Sequence, residues 1–570
     1  MRLLVIVLLL AGGPLAAQVF PATDYPQGYF RNPLLFPISL SGNFGELRPN
    51  HYHMGLDLKT KAVENQLVHA AADGYIARIK IEPGGFGRAI YINHPNGFTT
   101  LYAHLNNFYP ALEQWLKEQQ YQQQSWKLEL QLRPGQFPVK KGDFIAYSGN
   151  TGGSQAPHLH FEIRRTADDV NLNPLLFGFP LTDNVPPRLM RLSVYDRDKG
   201  IYEQSPRIFP VKAAGGNQHT STPALITLST PRVSFGIGAW DTHTGSSNLN
   251  GIFESVLYDN ERPIVGFRMD VISYNDTRYL NAHIDYRTRA GGGPWLQQLF
   301  SLPGYINSIY GGDQNGIVDL SDGAVHNIRI DVKDADKNLS VLSFKVQYKA
   351  PASPAPATAR GTGKQFYPLM LDGYEASDCE FYIGERCLYD SVFIRYSQSA
   401  ASSPSVVSAV HSIGANYIPL QEAYLIRIRP GRTLSQEERL RTVMQWYAGA
   451  KKDVQKVEWQ QEWAHARFRD FGSYQLVIDQ TPPVIVPSGF NDGSDLSKAS
   501  RIVFTVTDNL GKFKNVKTYL DGQWLRFTND KGRTFIYQFD ERCPRGAHEL
   551  TITAEDEAGN STTKTYRFTR

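Results

Sequence analysis

The clearest regularity in the chain is an alternation in residues 156–165, where Leu159, Phe161 and Ile163 interleave with His158, His160, Glu162 and Arg164. A period of two is that of a half-buried β-strand, so both histidines share one face. Residues 89–105 read as a strand, a Pro95-Asn96-Gly97 turn and a returning strand, a hairpin that ends on Tyr102 and His104. Between 106 and 138 the pattern changes. Leu112, Trp115 and Leu116 among Glu, Gln and Lys fit a short amphipathic helix, and residues 126–132 alternate again like a strand. Farther on, residues 423–429 and 474–478 read as strands, and 435–447 predicts a helix with Ser435 as its cap and Glu438 three positions later. The fold class expected is mainly β.

An internal repeat organises the later part of the chain. Asp183 followed by Asn-Val-Pro-Pro matches Asp479 followed by Gln-Thr-Pro-Pro, and residues 323–338 match 546–560 with one gap. Strands separated by Asp/Asn/Gly turns in such units suggest β-sandwiches resembling the immunoglobulin-like (Ig-like) modules of bacterial surface and secreted proteins. The expected order is an export signal at 1–17, a first globular unit at 18–180 with an insertion at 106–138, and a sandwich at 181–349. A Pro/Ala/Ser/Thr-rich linker at 350–364, a β-rich module at 365–478 and a second sandwich at 479–570 follow.

Composition changes this picture in few places. The chain has 570 residues, 41% of them hydrophobic, enough for several cores. Its formal charge of +4 is dispersed, which argues against nucleic acid as a partner. Arg2 and the short apolar run after it, closed by Gly-Gly-Pro-Leu-Ala-Ala, read as a secretory signal cut near Ala17. No later segment is long and apolar enough to span a membrane, so the expected location is the periplasm or the exterior. Export would permit a Cys379–Cys387 bridge, leaving Cys543 unpaired and buried. No cysteine lies near the histidine motifs, which argues against thiol catalysis.

Those motifs carry the chemistry. His53-Met-Gly-Leu-Asp57 and Pro157-His-Leu-His-Phe-Glu162 supply imidazoles and a carboxylate without cysteine, the donor set of a catalytic zinc site that keeps one position open. His53 and Asp57 are co-facial at a spacing of four on a strand or on a helix, and Gly55 with nearby Gly45, Pro49 and Asn50 favours an extended or turning segment. A single histidine on a strand is most often a polar surface or hydrogen-bonded core residue; His69 and His94 are read that way, and His51 is an alternative ligand.

The pieces Gly42-Asn-Phe-Gly45, His53-x-Gly-x-Asp57, the run ending Tyr-Ala-His104-Leu, Val139-Lys-Lys-Gly-Asp, Gly149-Asn-Thr-Gly and Pro157-His-Leu-His-Phe-Glu-Ile resemble the lysostaphin/LytM-type zinc metallopeptidases. The resemblance implies a small antiparallel-sheet peptidase domain, zinc held by His53, Asp57 and His160, and His104 with His158 as catalytic histidines. It implies hydrolysis of peptide cross-links in bacterial peptidoglycan. The alternative is a non-enzymatic wall-binding adaptor or activator of another hydrolase on the same fold. The insertion 106–138 is either a solvated decoration or a wall of the substrate groove. The later modules are expected to space the peptidase or to dock it to protein or wall, with loop aromatics Tyr305 and Tyr310 as docking candidates. Loss of 365–570 is expected to leave zinc binding intact.

Overall fold

A computed structural model of the chain describes residues 19–304, 307–351, 362–401 and 403–570. The expected signal at 1–17, Tyr305 and linker residues 352–361 lie outside the described residues.

Around the histidine motifs, seven strands and one helix matter: β1 (Leu40–Gly42), β2 (Leu56–Lys59), β3 (Gly74–Ile81), β4 (Arg88–Asn93), β5 (Phe98–Ala103), α1 (Pro110–Gln123), β6 (Leu128–Gln131) and β7 (His158–Arg165). The strands form an antiparallel sheet in the order β1-β2-β7-β5-β4-β3-β6. The expected hairpin is β4–β5, and Gly97 turns it at φ +82°, a conformation that favours glycine. Leu159, Phe161 and Ile163 of β7 pack with Ile76, Ile90, Ile92 and Tyr102 in one core.

The alternation of β7 predicts a half-buried strand, yet His160, Glu162 and Arg164 on its polar face are buried as well. Tyr274, from the segment that follows Val271–Ile272, lies over that face, with the Arg164 guanidinium 4.8 Å from its ring. Val271–Ile272 itself pairs with Asn171–Leu172, so strands of the two units share hydrogen bonds.

Residues 188–348 build an eleven-stranded sheet among the described residues, which curls so that rings such as Phe235 and Phe344 meet at 5.4 Å. Its apolar core takes in Phe44, Tyr52 and Met54 from the segment that carries His53, and continues into residues 366–476. Residues 363–478 form six- and five-stranded sheets; residues 484–569 form three- and five-stranded sheets around Phe504, Phe535, Leu550 and Ile552.

Three expectations need correction. The helix predicted at 435–447 is only Gln436–Arg441, closed by the Ser435/Glu438 capping box, and Thr442–Ala448 is a strand. Pairing with Lys451–Lys456 on one side and Gly472–Ile478 on the other overrides the helical pattern. Cys379, Cys387 and Cys543 are three buried free thiols, and no Cys379–Cys387 bridge forms. Tyr310 is buried, with its hydroxyl donating to Gln298 O, and so offers no docking surface.

Candidate metal and catalytic site

Strand register assembles the site. In the β2–β7 pair His160 stands opposite Asp57, and in the β7–β5 pair the same His160 stands opposite Ala103, the residue before His104. His53 lies just before β2 and returns to the sheet by backbone bonds with Gly45 and Glu46. Gly55 permits this approach, because a Cβ there would meet Phe161 O at 2.4 Å and His160 Nε2 at 3.1 Å. His104 leaves β5 at φ +59°, in the left-handed region that non-glycine residues rarely occupy, with its amide donating to Phe86 O. The sequence places it on the sheet; the structure sets it one residue past the strand end, turned toward His158.

His53, Asp57 and His160 converge. His53 Nε2 is 3.0 Å from Asp57 Oδ1 and 3.1 Å from His160 Nδ1, and His160 Nδ1 is 3.0 Å from Asp57 Oδ1. Hydrogen bonds on the far side fix each tautomer. His53 Nδ1–H donates to Asn43 O at 2.8 Å, and His160 Nε2–H donates to Glu162 Oε1 at 2.9 Å. With those protons in place, the second nitrogen of each ring faces the Asp57 carboxylate. Three acceptors facing one another at this range repel unless a cation or proton lies among them. Zinc meets that need: ligand atoms about 2.0–2.1 Å from a tetrahedral ion lie about 3.3 Å apart.

His104 and His158 flank the triad, their rings 4.8 Å apart. His104 Nδ1–H donates to Thr151 O at 2.9 Å, and His158 Nδ1–H donates to Ala156 O at 2.9 Å with Ser154 Oγ 3.1 Å away. Nε2 of His104 is left without such a bond, whereas that of His158 lies 3.2 Å from Asp57 Oδ1 and contributes to holding that carboxylate as its anion. All five expected positions thus meet in one place. His51 is exposed, with Nδ1 on Pro49 O, while His94 is held by Asp73 O and Thr100 in the core.

The charges explain the titration of the group. Burial pushes His53 down to about 4 and His104 down to about 3, so both are neutral at physiological pH. Burial also disfavours the cation at His160, but bonds to Asp57 and Glu162 outweigh it and raise the group to about 9, so that without a metal ion the proton among the three inward atoms sits on His160 Nδ1. Asp57 is held well below the carboxylate range despite burial, because His53, His158 and His160 favour its anion. Arg48 anchors the other oxygen, Asp57 Oδ2, at 2.7 Å.

Glu162, Tyr274 and Arg164 are functional neighbours that the sequence reading does not single out. Glu162 is fully buried and takes bonds from His160, Arg164, Asn171 Nδ2 at 2.7 Å and Tyr274 Oη at 2.6 Å. A carboxylate that orients a metal-binding histidine sets its tautomer and raises its basicity. Glu162 had a signal, since it follows His158 and His160 in the same alternation; Tyr274, more than a hundred residues away, had none.

The triad opens onto a groove of about 1270 Å³, bordered by Phe86, Tyr91 and Tyr274 with Arg48, Lys59 and Arg78 among its cations. The insertion contributes in two ways. Its strand β6 pairs with β3 and places Glu129 on the groove, whereas α1 faces the carboxy-terminal sandwich. There Lys117 pairs with Asp540 at 2.6 Å, Arg526 donates to Gln120 Oε1 at 2.7 Å, and Tyr121 meets Trp524 at 5.2 Å. Lys531 of that sandwich donates to Gly152 O and Ser154 O at 3.2 and 2.8 Å, on the loop that positions His104 and His158.

Residues 51–121 and 118–174 match the family described as Peptidase family M23, and residues 371–479 match the Zu5-like domain. Over 153 residues the chain is 33% identical to the DD-carboxypeptidase/endopeptidase Mpg of Neisseria meningitidis serogroup B, covering 27% of this chain and 26% of that protein. Over 167 residues it is 30% identical to an uncharacterized metalloprotease of Haemophilus influenzae, covering 28% of this chain and 29% of that protein. The chain spans about a quarter of the length of these curated relatives. The catalytic domain of lysostaphin from Staphylococcus simulans aligns at 24% identity and a TM-score of 0.17, over 24% of this chain and 87% of that one. Residues 51–174 of this mainly β chain therefore constitute a LytM-type domain of Peptidase family M23.

Proposed function

We infer that the chain is an exported zinc-dependent endopeptidase that hydrolyses peptide cross-links of bacterial peptidoglycan, in the periplasm or outside the cell. The observation that carries the reading is the inward convergence of His53 Nε2, Asp57 Oδ1 and His160 Nδ1, each locked by a bond on its far side. The Neisseria relative, named as a carboxypeptidase and endopeptidase, supports the substrate class.

In this reading His53, Asp57 and His160 hold zinc, which supplies Lewis acidity toward an amide carbonyl and lowers the pKa of water. His104 and His158 manage protons. With Nδ1–H committed to backbone carbonyls, each presents Nε2 to the groove, able to accept a proton from water and return it to the departing amine. Once protonated, the same Nε2–H can donate to a developing oxyanion. His104 is buried and neutral at physiological pH, and its low basicity in the metal-free chain assigns the stronger proton-accepting part to the more exposed His158.

The test is a digest of purified peptidoglycan by the zinc-loaded protein, read by mass spectrometry with and without chelator. New fragments whose masses correspond to a broken peptide bond are expected, and they should vanish on chelation. His158→Ala should abolish cleavage at unchanged zinc content. Unaltered muropeptides from fully zinc-loaded protein would instead favour the adaptor.

A further inference from the structure

The repeat seen in the sequence brings three acidic residues together twice. Asp183, Asp241 and Asp334 each offer an oxygen, all within 4.8 Å of one another, in the sandwich after the peptidase domain; Asp479, Asp508 and Asp556 do the same in the carboxy-terminal one. The partners also repeat. Asn338 Nδ2 donates to Asp334 Oδ2 at 2.8 Å and to Asp183 O at 3.0 Å, and Asn560 Nδ2 donates to Asp556 Oδ2 at 2.8 Å and to Asp479 O at 2.9 Å. Asp183 Oδ1 accepts from the amides of Val185 and Thr244, and Asp479 Oδ1 from the Thr481 amide and Asn509 Nδ2.

In the first copy His243 Nδ1 also stands 3.1 Å from Asp183 Oδ2, and His243 and Asp336 adjoin the cluster. Asp241, a member of this cluster, is 1% exposed, and its Oδ1 has no hydrogen-bond donor. In the second copy Asp508 Oδ1 is likewise unpaired, on a side chain that is half-buried rather than buried. In the first copy Asp183 and Asp334 are also buried, at 5% and 3% exposure. Burial, then Asp334 and Asp183, push Asp241 up to about 8, and no lysine or arginine is among the principal groups acting on it. Three buried carboxylates with an unpaired oxygen are costly unless a cation neutralises them.

We propose that each cluster is a calcium site, one ion per sandwich. Both three-aspartate sets are all carboxylate, which suits a hard cation over zinc. The size also fits: oxygens about 2.3–2.6 Å from Ca²⁺ can stand nearly 5 Å apart across the ion, whereas magnesium demands a tighter octahedron at about 2.0–2.1 Å. Each ion would tie the entry of its sandwich to the end of one strand (Arg232–Trp240 or Arg501–Thr507) and to the turn of its last hairpin. In the first copy it would also fix residues 241–251, whose Asn248 takes a bond from Lys59 and whose Gly251 is doubly bonded to Asn43, the residue that orients His53.

The full-length protein, freed of metal on a chelating resin and reloaded with one equivalent of zinc, is titrated with Ca²⁺ by calorimetry, with Mg²⁺ in parallel. Two calcium ions per chain are expected, with a melting temperature that rises with calcium concentration. Terbium should bind with luminescence sensitised by the adjacent Trp240, displaced by Ca²⁺ and not by equimolar Mg²⁺. Asp241→Asn and Asp508→Asn should each remove one ion and, by relieving repulsion, should not lower the melting temperature of the calcium-free protein. No uptake up to millimolar Ca²⁺, or uptake unchanged in the double variant, would overturn the proposal. Neither result tests the assignment of zinc to His53, Asp57 and His160, which share no residue with either cluster.

Discussion

At the level of single residues, the far-side hydrogen bonds decide the chemistry of the site. Asn43 O, Glu162, Thr151 O and Ala156 O each take one ring proton, which points the other nitrogen of His53, His160, His104 and His158 into the site. Glu162 is in turn held by Tyr274. Tyr274→Phe removes that donor without changing shape, and zinc affinity should fall on the order of tenfold, read by competition with a chromophoric chelator. An unchanged affinity would show that Arg164 and Asn171 suffice. Two histidines outside the site govern acid stability. His94 is depressed by burial to about 4 and His283 to about 3. Both are neutral when folded and would take protons when unfolded. Their contribution is therefore complete above pH of about 6.5 and is lost as pH falls toward those values, by up to ~2.7 kcal/mol per pH unit for the pair. Urea unfolding between pH 7 and 4 should show the loss; a flat profile would contradict it.

At the level of elements, the pairing of β2, β7 and β5 is what turns distant motifs into a site, and the insertion shows a second design. Helix α1 buries Leu112 and Leu116 against the peptidase core and presents Lys117, Gln120 and Tyr121 to the carboxy-terminal sandwich. The Lys117–Asp540 pair is partly exposed and contributes little, ~0–1 kcal/mol. Lys531 matters differently, because its two bonds end on the Gly152–Ser154 loop. Lys531→Ala should leave zinc content unchanged and lower kcat several-fold through looser placement of His104 and His158. Equal turnover by the variant would reduce the contact to mere adhesion. The hairpin β4–β5, the helix at 110–123 and the strand at 158–165 were legible because their periods and turn residues are local. The strand at 442–448 was not, because its conformation is set by two neighbours rather than by its own pattern.

At the level of the whole molecule, the modules are more than spacers. Tyr52 and Met54, on either side of His53, belong to the core of the following sandwich, and Thr277 Oγ1 binds the Tyr52 backbone at 3.0 Å. A chain ending at residue 180 would bare Phe44, Tyr52 and Met54, and should be poorly soluble and deficient in zinc when assayed by metal analysis. Removal of 365–570 is a milder cut. It strips Tyr389, whose hydroxyl donates to Arg278 O at 3.1 Å and whose ring lies 5.8 Å from Tyr279, and so loosens the segment that carries Tyr274. Zinc should still bind, with lower affinity than in the full chain. Intact affinity in that truncation would mean that residues 273–280 hold their place unaided.

The sequence by itself determined the strand and hairpin that bear His104, His158 and His160, the five residues that meet, the mainly β class and the repeat of Asp183 in Asp479. These are written in short-range periods, turn residues and motif order, which a chain displays without being folded. Only the tertiary structure decided that β7 is buried on both faces, that Tyr274 holds Glu162, that Lys531 reaches the Gly152–Ser154 loop and that Asp241 has an unpaired oxygen. Each of those depends on which remote surfaces come into contact, and apolar burial, being non-directional, leaves no record of its partner in local sequence.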